Sequence, residues 1–376
     1  MNRIRQTLEQ LRSEGNFRRI PADSTGSAML DFTSNDYLGI ASREDLQKEF
    51  FAANNDVRLP LTSSASRLLA AGQNQYESLE NLIGDLYGKK ALLFNSGYHA
   101  NTGLIPALAD RDTLVLADRL VHASIIDGYV LARTEMMRFR HNNMQHLALL
   151  LERHASAYQR VLIVVESVYS MDGDSPDMRR IAELKRMYPN AMLYVDEAHA
   201  FGAVGSQGLG LSAKEGIVED VDILVGTLGK AGASVGAFAV MSGEMREYMV
   251  NRARPLIFST ALPPLNCAWS EFIIRRIAGM DAEREKLAKL SERLRTALSG
   301  LPGAQNTAAS YIRPYIVGSA ERAVELSQRL VEAGIKVLPI RTPTVARGTE
   351  RLRISLSAAM SYEDVDRLAD ALHNAI

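Results

Sequence analysis

Asp222-Ile-Leu-Val-Gly-Thr-Leu-Gly-Lys-Ala-Gly-Ala-Ser-Val-Gly-Ala-Phe238 decides how the rest of the chain is read, because it sets one lysine, Lys230, between an apolar run and a row of small residues. Residues 222–225 read as a short buried strand, Gly229 and Gly232 permit an unusual turn, and 235–241 resumes an apolar strand. Lys230 is therefore expected at a strand end. A lysine held in a crowded, partly desolvated place tends to lose its proton, and the neutral amine is a nucleophile able to form a Schiff base. A lysine on a glycine-rich loop can also be a plain solvated charge. What the other strand ends carry decides between the two.

Working outward, apolar runs at 91–94, 113–117, 161–166, 192–195, 223–225 and 235–241 alternate with helical segments. That alternation predicts an α/β fold with a large, mostly parallel sheet covered by helices on both faces. Ligands in such sheets gather at the carboxyl ends of the strands. Polar residues cluster there: Asp118 and His122, Ser170 and Asp172, Asp196 and His199, Thr227 and Lys230. A further turn, Asn95-Ser-Gly-Tyr-His-Ala-Asn101, leads from a strand into a helix, whose first N–H groups suit a phosphate.

A nucleophilic lysine, an acid after a buried strand, a histidine able to stack on a ring and a phosphate-suited turn together describe pyridoxal 5'-phosphate machinery. Lys230 would hold the cofactor covalently, and Asp196 would face its ring nitrogen. His122 would stack on the ring, and His199 with Ser170 would bond the phenolic oxygen. Ser96, Gly97 and Tyr98, with Thr227, would take the phosphate. Taken singly, a histidine beside an apolar strand is more often a satisfied core residue; the combination with Asp196 and Lys230 gives these two their meaning.

Composition closes off other classes. The net charge of -1 leaves no basic footprint for nucleic acid, and charged residues interrupt every apolar run before it reaches membrane-spanning length. The N-terminus lacks the apolar core of a secretory signal and the single Cys267 cannot form an internal disulfide, so a soluble, cytoplasmic protein is expected. Cys267 itself reads as a buried small hydrophobe. The seven histidines show no paired ligand spacing, so no metal is expected. Gly84-Asp-Leu-Tyr-Gly-Lys89 has its glycines too close for a phosphate loop, Gly208-Leu-Gly-Leu-Ser-Ala213 does not open directly from a strand, and no Gly-x-Ser-x-Gly elbow appears.

At 376 residues the chain exceeds one typical domain. Three parts are expected: an N-terminal helix and segment packing on the body over 1–45, a large cofactor-binding α/β domain over 46–265, and a small C-terminal α+β domain over 266–376. Ile4, Leu8 and Leu11 mark one face of the first helix, and Leu287, Leu290, Leu294 and Leu298 that of a long helix closed by Gly300.

Seven stretches, in one order, resemble the α-oxoamine synthases. They are Ser34-Asn-Asp-Tyr-Leu-Gly39, Ser96-Gly-Tyr-His-Ala-Asn101, Asp118-Arg-Leu-Val-His-Ala-Ser124, Ser170-Met-Asp-Gly-Asp174, Asp196-Glu-Ala-His199, Thr227-Leu-Gly-Lys230 and Arg351-Leu-Arg353. The resemblance runs nearly end to end. It implies a pyridoxal-phosphate-dependent transferase of aspartate-aminotransferase fold (fold type I), with Lys230 as covalent and acid/base lysine and Asp196, His122, His199 and Ser170 in the roles above. It also matches Asn35 and Arg353 to positions that hold the amino-acid carboxylate, Thr344 to a substrate contact, and Arg18 to an arginine near the acyl substrate. Thr260 matches a residue that reaches the phosphate from the partner subunit, implying a homodimer with shared active sites.

The run 340–353 is most similar to members that join L-alanine to a pimeloyl thioester, carried by coenzyme A or by an acyl carrier protein. Members using glycine with acetyl- or succinyl-coenzyme A, or serine with a long acyl thioester, stay open as alternatives, as does an inactive binding protein of this fold. Tyr76 and Met360 stand where many relatives have histidine, and Ser63-Ser-Ala-Ser66 replaces a more glycine-rich loop.

Overall fold

The structure is a computed structural model that describes residues 2–18, 20, 29–70, 74–305 and 307–376. After a helix at Asn2–Ser13 and a two-residue strand β1 (Leu30–Asp31), the chain lays down β2 (Lys90–Phe94), β3 (Thr113–Asp118), β4 (Glu135–Phe139), β5 (Arg160–Glu166), β6 (Ala191–Asp196), β7 (Ile223–Thr227) and β8 (Ala237–Met241). Strands β2 to β8 form one seven-stranded sheet in the order β2-β8-β7-β6-β5-β3-β4. Neighbours from β7 through β4 run parallel, whereas β8 is antiparallel to both β7 and β2. The continuous apolar runs of β3, β5 and β7 are buried along nearly their whole length, as strands covered on both faces must be. On one face Leu92, Leu104, Val115, Leu162, Tyr194 and Val225 share a single core. Strand β4 was not foreseen. It lies at the sheet edge, with Glu135 and Arg138 exposed.

The chain divides into two compact units, one of Leu38–Tyr169 and Ser175–Arg284, the other of Met1–Tyr37, Ser170–Asp174 and Glu285–Ile376. The first holds the seven-stranded sheet. Its limits take in residues expected elsewhere: Phe50 meets Trp269 edge-on at 5.2 Å, and the helix Pro264–Ile277 packs against the helix Asn74–Tyr87. Cys267 is fully buried there.

In the second unit β9 (Ile312–Ile316), β11 (Leu338–Ile340) and β12 (Arg351–Ser355) make an antiparallel sheet of order β11-β12-β9, and β1 pairs in parallel with β10 (Ile335–Lys336). The helix Asp281–Ala297 carries the expected leucine stripe, with Leu287, Leu290 and Leu294 buried, and Gly300 follows in the left-handed region at φ 86°. The first helix departs from expectation. None of its residues is buried, Ile4 is 65% exposed and Leu11 is half-buried, so the described residues leave most of its apolar stripe uncovered.

Candidate active site

In the large unit, β7 ends at Thr227 and a reversal at 228–236 returns the chain as β8. Leu228 N–H donates to the Gly236 carbonyl at 2.9 Å, Ser234 N–H to Leu228 at 3.0 Å and Ala233 N–H to Lys230 at 2.9 Å. A Cβ on Gly232 would stand 2.7 Å from the Leu228 carbonyl, so a glycine is needed there. Lys230 is half-buried on this stitched turn. The Thr227 hydroxyl donates to the Gly236 carbonyl at 3.1 Å and accepts from Gly229 N–H at 3.3 Å, so it holds the turn.

Asp196 is the last residue of β6 and 5% exposed. One carboxylate oxygen accepts from Ala198 N–H at 2.9 Å and the other from Asn101 Nδ2 at 2.8 Å. Asn101 Nδ2 also donates to Ser124 Oγ at 2.8 Å, and Tyr194 Oη donates to Asn101 Oδ1 at 2.6 Å. Ser124 in turn meets His122 Nδ1 through its hydroxyl at 2.8 Å and its N–H at 3.2 Å. Protein packed around His122 holds its pKa below the usual imidazole value although part of the residue stays open to solvent; Lys230 adds to that drop, and Asp196 and Asp127 oppose it. Asp196 and Lys230 thus both act on His122, and His199 is buried on the loop that follows Asp196. Next to Asp196, the buried Glu197 accepts from Ser167 Oγ at 2.6 Å, Leu211 N–H at 3.0 Å and Ser212 N–H at 2.7 Å, pinning that loop.

Ser96 caps the helix Gly97–Leu108, accepting from His99 N–H at 3.1 Å, and a Cβ on Gly97 would meet nothing within 4 Å. A helix N-terminus with space beside Gly97 suits a phosphate. The Tyr98 hydroxyl donates to the Asp127 carboxylate, which raises its pKa. Asn95 Nδ2 donates to the Thr260 carbonyl at 2.7 Å, placing Thr260 beside the turn of its own chain. The segment around Thr260 is tied to the unusual serine loop, since Ser63 Oγ and Tyr76 Oη both donate to the Leu262 carbonyl, at 2.7 Å and 3.3 Å. Arg67 lies over the Tyr76 ring at 4.7 Å. The departures at Ser63 and Tyr76 therefore have structural work in this chain.

In the small unit, Arg353 is 3% exposed. Its guanidinium donates to the Ser170 carbonyl at 2.6 Å, Ser355 Oγ at 2.6 Å and Asn35 Oδ1 at 3.1 Å. Among the described residues no carboxylate forms an ion pair with it, whereas Arg351, two residues earlier on β12, pairs with Asp172 at 2.6 Å. Arg18 donates to Thr344 Oγ1 at 3.2 Å. Burial holds Arg341 below the ordinary guanidinium value, and the charge of Arg18 adds to that. Met360 is half-buried, and nothing in the structure explains its choice over histidine.

Four of the residues expected at strand ends, Asp196, His199, Thr227 and Lys230, fall with His122, Ser96, Gly97, Tyr98 and Thr260 in the large unit, while Ser170, Asn35, Thr344, Arg18 and Arg353 fall in the small one. Two strand-end acids have structural partners: Asp172 pairs with Arg351, and the fully buried Asp118 accepts from His141 Nδ1 at 2.8 Å and Asn142 N–H at 2.9 Å. Lys89, of the rejected phosphate loop, caps the Val218 and Val221 carbonyls at 2.8 Å and 2.7 Å. Sequence reasoning assigned no role to Asn101, Ser124, Tyr194 or Glu197.

No helix among the described residues is long and apolar enough to cross a membrane, and none of their His, Cys, Asp and Glu side chains form a group able to hold a metal ion. The chain matches the aminotransferase class I and II family over residues 27–372. It is 46% identical over 376 residues to a protein of Pasteurella multocida (strain Pm70) named "Putative 8-amino-7-oxononanoate synthase", covering 98% of this chain and 97% of that one. Serine palmitoyltransferase from S. paucimobilis, solved with PLP-myriocin bound, superposes with a TM-score of 0.89 at 27% identity, covering 99% of this chain and 96% of that one. The 8-amino-7-oxononanoate synthase of Francisella tularensis gives 0.78 at 25% identity, over 92% and 97%. The chain is an enzyme of the aminotransferase class I and II family, in its α-oxoamine synthase branch.

Proposed function

We propose that this enzyme uses pyridoxal 5'-phosphate to condense L-alanine with a pimeloyl thioester, releasing carbon dioxide and free thiol and giving 8-amino-7-oxononanoate for biotin biosynthesis. The chain of hydrogen bonds from Asp196 through Asn101 and Ser124 to His122, with Lys230 on the turn after β7, supports the reading. These residues fit the group: a buried carboxylate for a ring nitrogen, a half-buried amine, an imidazole whose pKa is lowered and a helix N-terminus for a phosphate.

When bound, the cofactor supplies an electron sink for charge developing at the amino-acid α-carbon. Lys230 Nζ would hold it covalently and, once displaced by the substrate amine, would remove the α-proton and later return one. Asp196, oriented by Asn101 and Ala198, would accept a hydrogen bond from the ring nitrogen and favour its protonated form. His122 would cover the ring face, His199 and Ser170 would bond the phenolic oxygen, and Ser96, Gly97, Tyr98 and Thr227 would take the phosphate. Thr260 would reach the phosphate of a partner subunit in a homodimer.

Arg353 supports an amino-acid substrate on physical grounds, because a buried guanidinium without a carboxylate is costly until an anion joins it. With Asn35 it holds the alanine carboxylate. Arg18, set by Thr344, meets the distal carboxylate of the pimeloyl chain. The test is product analysis by mass spectrometry with alanine, glycine and serine offered against pimeloyl, acetyl, succinyl and long-chain thioesters, each carried by coenzyme A and by acyl carrier protein. Alanine with a pimeloyl donor is expected to dominate. Preference for glycine or serine would overturn the substrate assignment.

A further inference from the structure

The polar interior behind Asp196 has an order that the proposed roles do not require of it. Asn101 is 1% exposed, and its amide spends both Nδ2 hydrogens, on Asp196 Oδ2 and Ser124 Oγ, while Oδ1 accepts from Tyr194 Oη. A flipped amide would set its oxygen against the Asp196 carboxylate, acceptor against acceptor, so one orientation is selected. Ser124 Oγ accepts from Asn101, which turns the serine proton toward His122 Nδ1. Ser124 N–H donates to the same nitrogen, because His122 caps the helix Ala123–Ala132 through its ring. With donors from two directions, Nδ1 is an acceptor, and the imidazole proton lies on Nε2.

Close helix packing makes this reach possible. A Cβ on Gly128 would stand 2.7 Å from the Asn101 carbonyl, so the helix carrying Ser124 lies directly against the one carrying Asn101. Tyr194 stands two residues before Asp196 on β6, so its hydroxyl fixes Asn101 from the same strand that presents the acid.

We infer that Asn101 is a positioning residue that locks Asp196 and His122 to each other, holding the carboxylate as an acceptor and the imidazole as the tautomer with its proton on Nε2. Its catalytic meaning rests on the proposed cofactor reading, and deepens it: the group facing the ring nitrogen and the group covering the ring share one amide as their reference. The charged groups acting on His122 are Asp196, Asp127 and Lys230, and the tautomer is read above the usual imidazole pKa so that their influence on its charge is constant.

The experiment uses cofactor-free protein labelled with nitrogen-15 in histidine, with the His122 signals identified by their loss in His122→Asn. Wild type is expected to give one tautomer, Nδ1 bare and Nε2 protonated. Asn101→Leu, of similar volume, and Ser124→Ala should each move both shifts toward tautomer averaging, and Tyr194→Phe should do so less. Averaged or Nδ1-protonated shifts in wild type, or wild-type shifts in both variants, would overturn the inference. Should Asn101→Leu not fold, Ser124→Ala decides alone. In cofactor-loaded protein, Asn101→Leu should lower kcat about ten-fold or more with little change in the KM for alanine, and alter the pH dependence of the cofactor absorbance. Failure to take up pyridoxal phosphate at all would sink the functional reading while the cofactor-free spectra still judged the role of Asn101.

Discussion

Around Asp196 the large unit completes its own chemistry: the acid, the amide of Asn101, the Ser124 hydroxyl and the His122 ring each have partners supplied by the fold. On β12 of the small unit the pattern changes within two residues. Arg351 is neutralised by Asp172, but Arg353, equally sheltered, has oxygens of a carbonyl, a hydroxyl and an amide and, among the described residues, no carboxylate. Evolved interiors avoid such isolated charges unless something arrives to share them. The contrast separates a region whose polar groups are paired within the fold from one that leaves a buried charge for the proposed substrate carboxylate to meet.

The strongest way to break the first half of that comparison is Lys230→Ala. Turnover should vanish, and borohydride reduction with peptide mapping should label Lys230 in wild type and no other lysine; a label elsewhere would displace it. Asp196→Asn should keep bound cofactor yet lower the rate by about a thousand-fold or more, because an amide cannot hold the ring nitrogen protonated. Near-normal turnover would move the acid to another residue.

The second half is sharpened by treating the two arginines alike. Arg353→Ala should raise the KM for alanine by about ten- to a hundred-fold, equivalent to losing a charge-assisted contact of about 1.5–3 kcal/mol. Arg351→Ala should instead lower thermal stability by about 1–3 kcal/mol, the lower range reflecting the partial solvation of Asp172, with that constant little changed. Equal effects on substrate affinity would erase the distinction. Arg18→Ala should weaken the pimeloyl donor by about ten-fold and leave alanine unaffected, and a donor with an esterified distal carboxylate should be insensitive to the change.

The smallest effect concerns Tyr37, which donates to Asn35 Oδ1 at 3.1 Å. Burial pushes its pKa up to about 12, against a lowering pull from Arg353. A phenol with a raised folded-state pKa contributes its full stability below the unfolded value of about 10 and loses it as pH rises toward 12. Tyr37→Phe should therefore make denaturant-measured stability fall less steeply across that interval, and an unchanged slope would deny Tyr37 its part.

The sheet was legible where burial was complete. Strands β3, β5 and β7 are uninterrupted apolar runs, while β4, at an edge with Glu135 and Arg138 exposed, carries too mixed a pattern to announce itself. Lys230, Asp196 and His122 could be singled out because each lies at the end of such a run or just after it and has side-chain chemistry with few uses. Asp118 and Asp172 satisfied the same positional rule and turned out to hold a turn and an arginine. Asn101, Ser124 and Tyr194 could not be read at all, since an amide in a helix, a serine at a helix start and a tyrosine in a strand acquire their joint role only when the elements are stacked. The exposed stripe of the first helix shows the converse: apolar periodicity announces that a face will be covered, without saying by what.

The reversal carrying Lys230 has a consequence for how the protein matures. Its returning strand, β8, is flanked by β7, its neighbour in sequence, and by β2, laid down far earlier, with Met241 opposite Lys90. Closing that seam requires a long intervening stretch of chain to be in place, and contacts so remote in sequence form slowly. The lysine thus acquires a fixed setting late, when the sheet edge is sealed. Covalent uptake of the cofactor would serve as a stopwatch for assembly, and an excess of cofactor would draw the population toward the finished sheet by mass action.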